Sequence, residues 1–327
     1  MEYRHANFAN FICKFGDKNL LDYMKEIVVP AFFDDSLVRN YGKTTYYHLY
    51  DMELLDLSES RDSSVVGLCG RFIKDTELSR TQLFDPNVGL VKDSQAIRSS
   101  PSSFFVLILN NHRLIYLPET PHAPDIKSFE ATMSQFLKLK HKKFIDDSYQ
   151  ILRQNQEKGT KKHLRKNHPS PTLEIIPLTG FDNIEQFVGQ YKTLKSLELR
   201  LLKPNDDVIG TEVLKSVREY TGGMGPESTR LIVASTEGLD KDRTVEVIHD
   251  ASAAGNQDVI LKGIDESGNK LTGTNDKFKV SAKIDSLPIG VARIAEKLYA
   301  KFTELVSAGA IRVDSPTGEA TRRIVRT

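Results

Sequence analysis

Phe104-Phe105-Val106-Leu107-Ile108-Leu109, then Asn110-Asn111-His112-Arg113, then Leu114-Ile115-Tyr116-Leu117, is the stretch whose reading decides the fold. Two apolar, strand-length runs flank a turn in which asparagine tolerates positive φ, so the pattern predicts a β-hairpin. Pro118, Pro121 and Pro124 end the sheet. Asp125 is then placed to cap a helix whose apolar positions 126, 129, 133, 136, 137 and 139 keep a 3.6-residue period. Strand, turn, strand and amphipathic helix in succession point to an α+β protein.

Outward from this hairpin the same reasoning covers most of the chain. Tyr3 to Lys14 reads as an opening strand around Phe8, Ala9, Phe11 and Ile12. Apolar residues at 20, 21, 24, 27 and 28 predict a helix that stops at Pro30. Thr44 to Leu57, rich in Thr and Tyr, and Val65 to Phe72 read as strands. After the capped helix a second one is expected over Asp146 to Glu157, ended by Gly159, with Thr160 to Pro171 as a loop. Beyond it come a strand at Leu173 to Leu178, a helix at Ile184 to Gln190 and a strand at Ser196 to Leu202. A helix at Thr211 to Tyr220, a flexible break at Gly222-Gly223-Met224-Gly225-Pro226, a strand at Arg230 to Ser235 and a helix at Thr244 to Ala254 follow. A long hairpin leaves at Asp258, turns at Asp265-Glu266-Ser267-Gly268-Asn269 and returns to about Ile284. The last helix starts near Pro288 and carries an apolar stripe at 291, 294, 295, 298, 302, 305 and 306. The expectation is an α+β fold of two domains, each a mixed or antiparallel sheet packed with helices. Residues 1–160 form the first, 161–171 a basic linker, 172–308 the second, and 309–327 a poorly ordered tail.

Of the 327 residues 39% are hydrophobic and 27% charged, enough apolar material for cores and too much for wholesale disorder. Cys13 and Cys69 each lie in an apolar stretch and read as buried thiols of a reducing compartment. The amino terminus lacks the apolar core of a signal peptide, and no run approaches the roughly 18 apolar residues that span a bilayer. A cytoplasmic location is therefore expected.

Net charge is only +1, but its distribution is uneven. From Lys138 to His168 ten Lys and Arg face three acids, a net of +7, while the rest of the chain is net −6. Phosphate neutralisation by Lys and Arg is the main sequence-independent source of nucleic-acid affinity. Lys142, Lys143, Lys161, Lys162, Arg165 and Lys166 are accordingly the candidate DNA-binding residues. Only Phe144 and Tyr149 interleave them, so contact with a duplex backbone is favoured over stacking on single strands. About six phosphate contacts predict a slope near −5 for log K against log salt. The bland alternative is a solvated linker.

No catalytic, cofactor or metal site is read from the remaining motifs. Gly222-Gly223-Met224-Gly225 is followed by Pro226-Glu227-Ser228 where a phosphate-binding loop needs Gly-Lys-Ser/Thr. Asp265-Glu266-Ser267-Gly268-Asn269 lacks the spaced ligands of a calcium loop and reads as a hairpin turn, Gly268 supplying positive φ. His141, His163 and His168 sit among lysines and arginines that repel a cation. Clustered carboxylates of the kind a nuclease uses to hold magnesium are not recognisable.

Leu261-Lys262-Gly263-Ile264-Asp265-Glu266-Ser267-Gly268-Asn269-Lys270-Leu271-Thr272, the returning strand to Ile284 and the helix Ile289 to Val306 resemble, in order, the RexA-like phage-exclusion proteins and related prokaryotic antiviral-defence DNA-binding proteins. The hairpin Phe104 to Leu117 with its helix resembles that family's central segment. The resemblance implies non-enzymatic double-stranded DNA binding by a homodimer that works with a separately encoded partner, often a membrane protein. It fixes no binding residue; the six cations above come from charge. The other readings are a defence nuclease or toxin, and a protein-interaction module whose basic segment meets an acidic partner.

Overall fold

The structure, a computed structural model, describes residues 4–58, 64–202, 216, 219–220, 224, 228–252 and 257–311. The chain opens with β1 (Arg4–Phe15) and β2 (Lys18–Asn19). A 3₁₀ turn (Leu20–Tyr23) and a π-helical turn (Met24–Val28) lead into α1 (Val29–Phe33). Six strands follow: β3 (Arg39–Tyr41), β4 (Thr45–Asp56), β5 (Val66–Asp85), β6 (Gly89–Ser99), β7 (Ser102–Ile108) and β8 (Arg113–Pro118). Then come α2 (Ile126–Gln154), α3 (Lys161–Asn167), β9 (Thr172–Pro177), α4 (Phe181–Gly189), β10 (Tyr191–Leu202) and β11 (Ser228–Ala234). The last described elements are α5 (Lys241–Ser252), β12 (Gln257–Asp265), β13 (Lys270–Thr274), β14 (Ser281–Ile284) and α6 (Val291–Ser307).

Two antiparallel sheets and their helices make this an α+β fold. The larger has ten strands, with β14-β1-β8-β7-β5-β4-β3 as its path, β2 and β9 on β1, and β6 on β5. β1 is apolar on both faces because both faces are covered. Phe11, Cys13 and Phe15 share a core with Phe105, Phe129, Met133 and Phe136, which places α2 on that side. Ala6 and Phe8 point the other way, into a core with Ile115, Ile294, Leu298 and Phe302, so the stripe of α6 covers its own sheet. The smaller sheet, β11-β10-β12-β13, packs Leu197, Leu199, Val259 and Leu261 against Ile184 and Phe187 of α4 and Val245 and Ile248 of α5. Gly273 in β13 is required by that packing, since a Cβ there would lie 2.2 Å from the Phe187 ring.

The sheets do not divide at 161–171. β9 and β14, both beyond that segment, pair with β1, Cys13 opposite Leu173 and Ala6 opposite Ala282. The returning strand of the long hairpin is broken for this purpose. Buried Asn275 accepts from the Val259 amide (2.7 Å) and donates to the Gln257 carbonyl (2.9 Å), closing the small sheet so that β14 can join the large one.

Other local expectations are also corrected. Pro30 does not stop its helix but opens α1, in the first turn, where a missing N–H costs nothing. The hairpin β7–β8 forms, Phe105 opposite Tyr116, but the residue with positive φ in its turn is His112 (55°). Asn110 is instead buried, with its side chain bonded to the Val66 amide and the Ser64 carbonyl, both at 2.9 Å. α2 is one helix of 29 residues where two were expected, no Gly or Pro interrupting it. Asp125 caps it as expected, accepting from the Ser128 amide at 2.8 Å. Gly268 takes φ 83° in the β12–β13 turn. The expected 211–220 helix, the 222–226 break and the tail from 312 lie outside the described residues but for 216, 219–220 and 224.

Residues 74–99, given no element beyond Phe72 from the sequence, hold the largest surprise. β5 continues to Asp85 and pairs with β6 in a two-stranded ribbon, Leu78 opposite Ile97 and Phe84 opposite Leu90. Past Thr76 neither outer edge of the ribbon pairs with another described strand.

Candidate nucleic-acid interface

The expected loop 160–171 is for the most part a helix. Thr160 adopts extended backbone and its hydroxyl accepts from the His163 amide at 3.2 Å, capping α3. Nothing from 161 to 167 breaks a helix, and the seven residues of α3 are Lys-Lys-His-Leu-Arg-Lys-Asn. The segment is docked on α2 rather than trailing from it. His141, buried on α2, bonds through Nε2 to the His168 carbonyl (2.8 Å), and His168 Nδ1 shares a hydrogen bond with the Tyr23 hydroxyl (2.8 Å). The His168 ring stands edge-on to Phe144 and Tyr23, at 5.2 and 5.9 Å. Burial, then the charge of Lys18 and His141, lowers the His168 pKa below its ordinary value.

This docking faces α3 across to the middle of α2. Lys161 Nζ lies 2.5 Å from Asp146 and 5.5 Å from the Tyr149 ring. The Asp146 carboxyl is held below the usual carboxylate range, first by that hydrogen bond and further by the charges of Lys142 and Arg165. Lys142, Lys161 and Arg165 therefore converge around one carboxylate. Lys143 is paired along its own helix with Asp147 at 2.6 Å. Lys142, Lys162, Arg165 and Lys166 are exposed and make no ion pair among the described residues.

The charges of α3 act on the helix in both directions. Lys161 with Arg165, and Lys162 with Lys166, are like-charge pairs four apart, each destabilising by about 0.2–0.5 kcal/mol. Lys161 and Lys162 also sit in the first turn, where the helix dipole disfavours cations. Asp146 offsets part of this, through an ion pair with Lys161 and through its charge on Arg165, and the dipole favours Arg165 and Lys166 in the last turn.

Two other lysines change their standing. Lys140 turns inward to an ion pair with Asp34, whose carboxyl is brought down to about 2 by that hydrogen bond and those from Ser36. Lys18, not considered from the sequence, comes within charge range of His168 and sits 5.2 Å over the Tyr23 ring. No sequence signal could have found it, because the approach depends on the β1–β2 turn meeting the end of α3.

Of the three histidines weighed as ligands, His141 and His168 are committed to the bonds above, and His163 Nε2 lies 3.1 Å from Asn167 Nδ2. Among the described residues no group of three or more His, Cys, Asp or Glu side chains could hold a metal, and no helix is long and apolar enough to cross a membrane. Both cysteines are unbridged and buried; burial raises the Cys13 pKa to about 12 and lifts that of Cys69 as well. No protein-family model matches the chain, and no curated protein does.

Proposed function

We propose that this chain is a non-enzymatic, sequence-tolerant double-stranded DNA-binding protein, gripping the duplex backbone through the α2–α3 surface. What supports the reading above all is the group Lys142, Lys162, Arg165 and Lys166, exposed on α2 and α3 and in no ion pair among the described residues, although the Asp146 carboxylate lies within charge range of Lys142 and Arg165. A polyanion would relieve the like-charge pairs four apart on α3. Lys143 and Lys161, the other two candidates, already have carboxylates and contribute less.

The biological setting rests on the resemblance alone. A sensor or effector role in prokaryotic phage defence, homodimerisation and a separately encoded, membrane-bound partner are what the RexA-like hairpin and helix imply, with a cytoplasmic location to match.

The test is fluorescence anisotropy of a labelled duplex titrated at several salt concentrations. Four phosphate contacts give log K against log salt a slope of about −3.6. A flat dependence contradicts the reading. Magnesium-dependent degradation of the duplex would favour a nuclease, and failure to bind any nucleic acid would favour an acidic protein partner.

A further inference from the structure

The β5–β6 ribbon exposes Phe84, Val88 and Leu90 at its tip, at 67%, 74% and 69% of their surfaces, with Leu78 and Ile97 exposed along its length. An isolated two-stranded hairpin is marginal in water, and apolar side chains on an unpaired edge invite association. From Glu77 to Arg98 the ribbon carries three bases and three acids, so it has no net charge to draw it to nucleic acid. Its tip is nevertheless well formed. Asp85 Oδ1 accepts from the Asn87 and Val88 amides at 2.7 and 3.2 Å, fixing a carboxylate beside Phe84.

The same molecule carries a matching recess. A cavity of about 410 Å³ is lined by Leu21, Met24, Val29, Leu54, Val66 and Leu109, together with exposed Lys25. Cavities of this size, apolar with one charged group, suit a bulky apolar side chain bearing an anion beside it. Val66 in its wall begins β5, and Phe84 at the ribbon tip nearly ends it. Eighteen residues of strand at about 3.3 Å each hold the two roughly 60 Å apart, so a tip cannot reach the cavity of its own chain.

We infer that the ribbon tip seats in this cavity of a second copy of the chain, Phe84 and Leu90 entering the apolar recess and Asp85 meeting Lys25. Tip and cavity stand at opposite ends of one strand. A two-fold axis across the middle of β5 therefore brings each tip to the other's cavity, and both contacts form at once in a closed dimer. This rests on the homodimer within the proposed function and not on DNA binding, so it is tested with no DNA present.

Light scattering of the full chain after size exclusion gives the mass. Wild type should run at twice 36.8 kDa, and Phe84→Ser and Leu54→Glu should each run at 36.8 kDa. Both positions are exposed, so melting temperatures should hold; Lys25→Glu should give the same loss by repelling Asp85. Mixing Phe84→Ser with Leu54→Glu should regenerate a dimer, because the mixed pair keeps one intact tip and cavity where each homodimer keeps none. A monomeric wild type, a dimer that survives either variant, or a mixture that stays monomeric would overturn the inference.

Discussion

β1 and the β5–β6 ribbon are made of the same kinds of residue and meet opposite fates. β1 carries Phe8, Phe11, Ile12 and Phe15, and all four are buried. The ribbon carries Leu78, Phe84, Leu90 and Ile97, and all four are exposed. What differs is the surroundings. β1 has β14 and β9 along one edge, β8 and β2 along the other, and a helix layer over each face. Among the described residues, the ribbon beyond Thr76 has only its own two strands. Apolar side chains in the first case hold the fold; in the second they are available to a partner.

The comparison breaks most visibly in stability. Phe105 in the sheet is fully buried between Phe32 and Phe129, at ring distances of 6.1 and 4.7 Å. Phe105→Ala should cost about 3–5 kcal/mol in chemical unfolding. Ile97→Ala on the ribbon, which loses a cross-strand contact with Leu78, should cost no more than about 1 kcal/mol. Similar costs at the two positions would mean that the ribbon is packed on something in solution.

A smaller effect sharpens the contrast between docked and projecting parts. Thr160→Ala removes the cap of α3 and should cost about 1 kcal/mol locally, seen as roughly fivefold faster amide exchange over 163–167 with the β1 amides unchanged. Exchange that is already fast in the wild type would make α3 a loop after all.

Smaller again is a pH effect at the joint between α3 and the body. Burial, with Lys18 and His141, depresses the folded-state pKa of His168 below 6.5, so in that window the unfolded chain binds more protons. Stability should fall as pH drops from above 6.5 through the depressed value. His168→Gln should narrow the gap in melting temperature between pH 7.5 and pH 5.5; an equal gap in both proteins would show that other groups set it.

The hairpin at 104–117 and the cap at Asp125 were legible because turn chemistry and apolar periodicity are local signals. The ribbon was legible in principle, since Asp85-Pro86-Asn87-Val88-Gly89 between Leu83-Phe84 and Leu90-Val91 is a turn between strands, but half-polar runs carry a weaker pattern than fully buried ones. The partners of β1 could not be read at all. Pairing Cys13 with Leu173 and Ala6 with Ala282 spans most of the chain, and no local rule reports it. For the candidate site, composition located the cations but not their state. The Lys161–Asp146 pair depended on α3 folding as a helix docked on α2, and the Lys140–Asp34 pair on a contact 106 residues apart in sequence.

The claim that the exposed, ion-pair-free cations of α2 and α3 bind DNA is tested most directly by the salt slope of a variant. With Lys142, Lys162, Arg165 and Lys166 all changed to Ala, the slope of log K against log salt should shrink from about −3.6 toward zero, and affinity should fall alike for unrelated duplexes. Lys143→Ala with Lys161→Ala should change it far less. An unchanged slope in the fourfold variant, or an equal loss in the twofold one, would contradict the account.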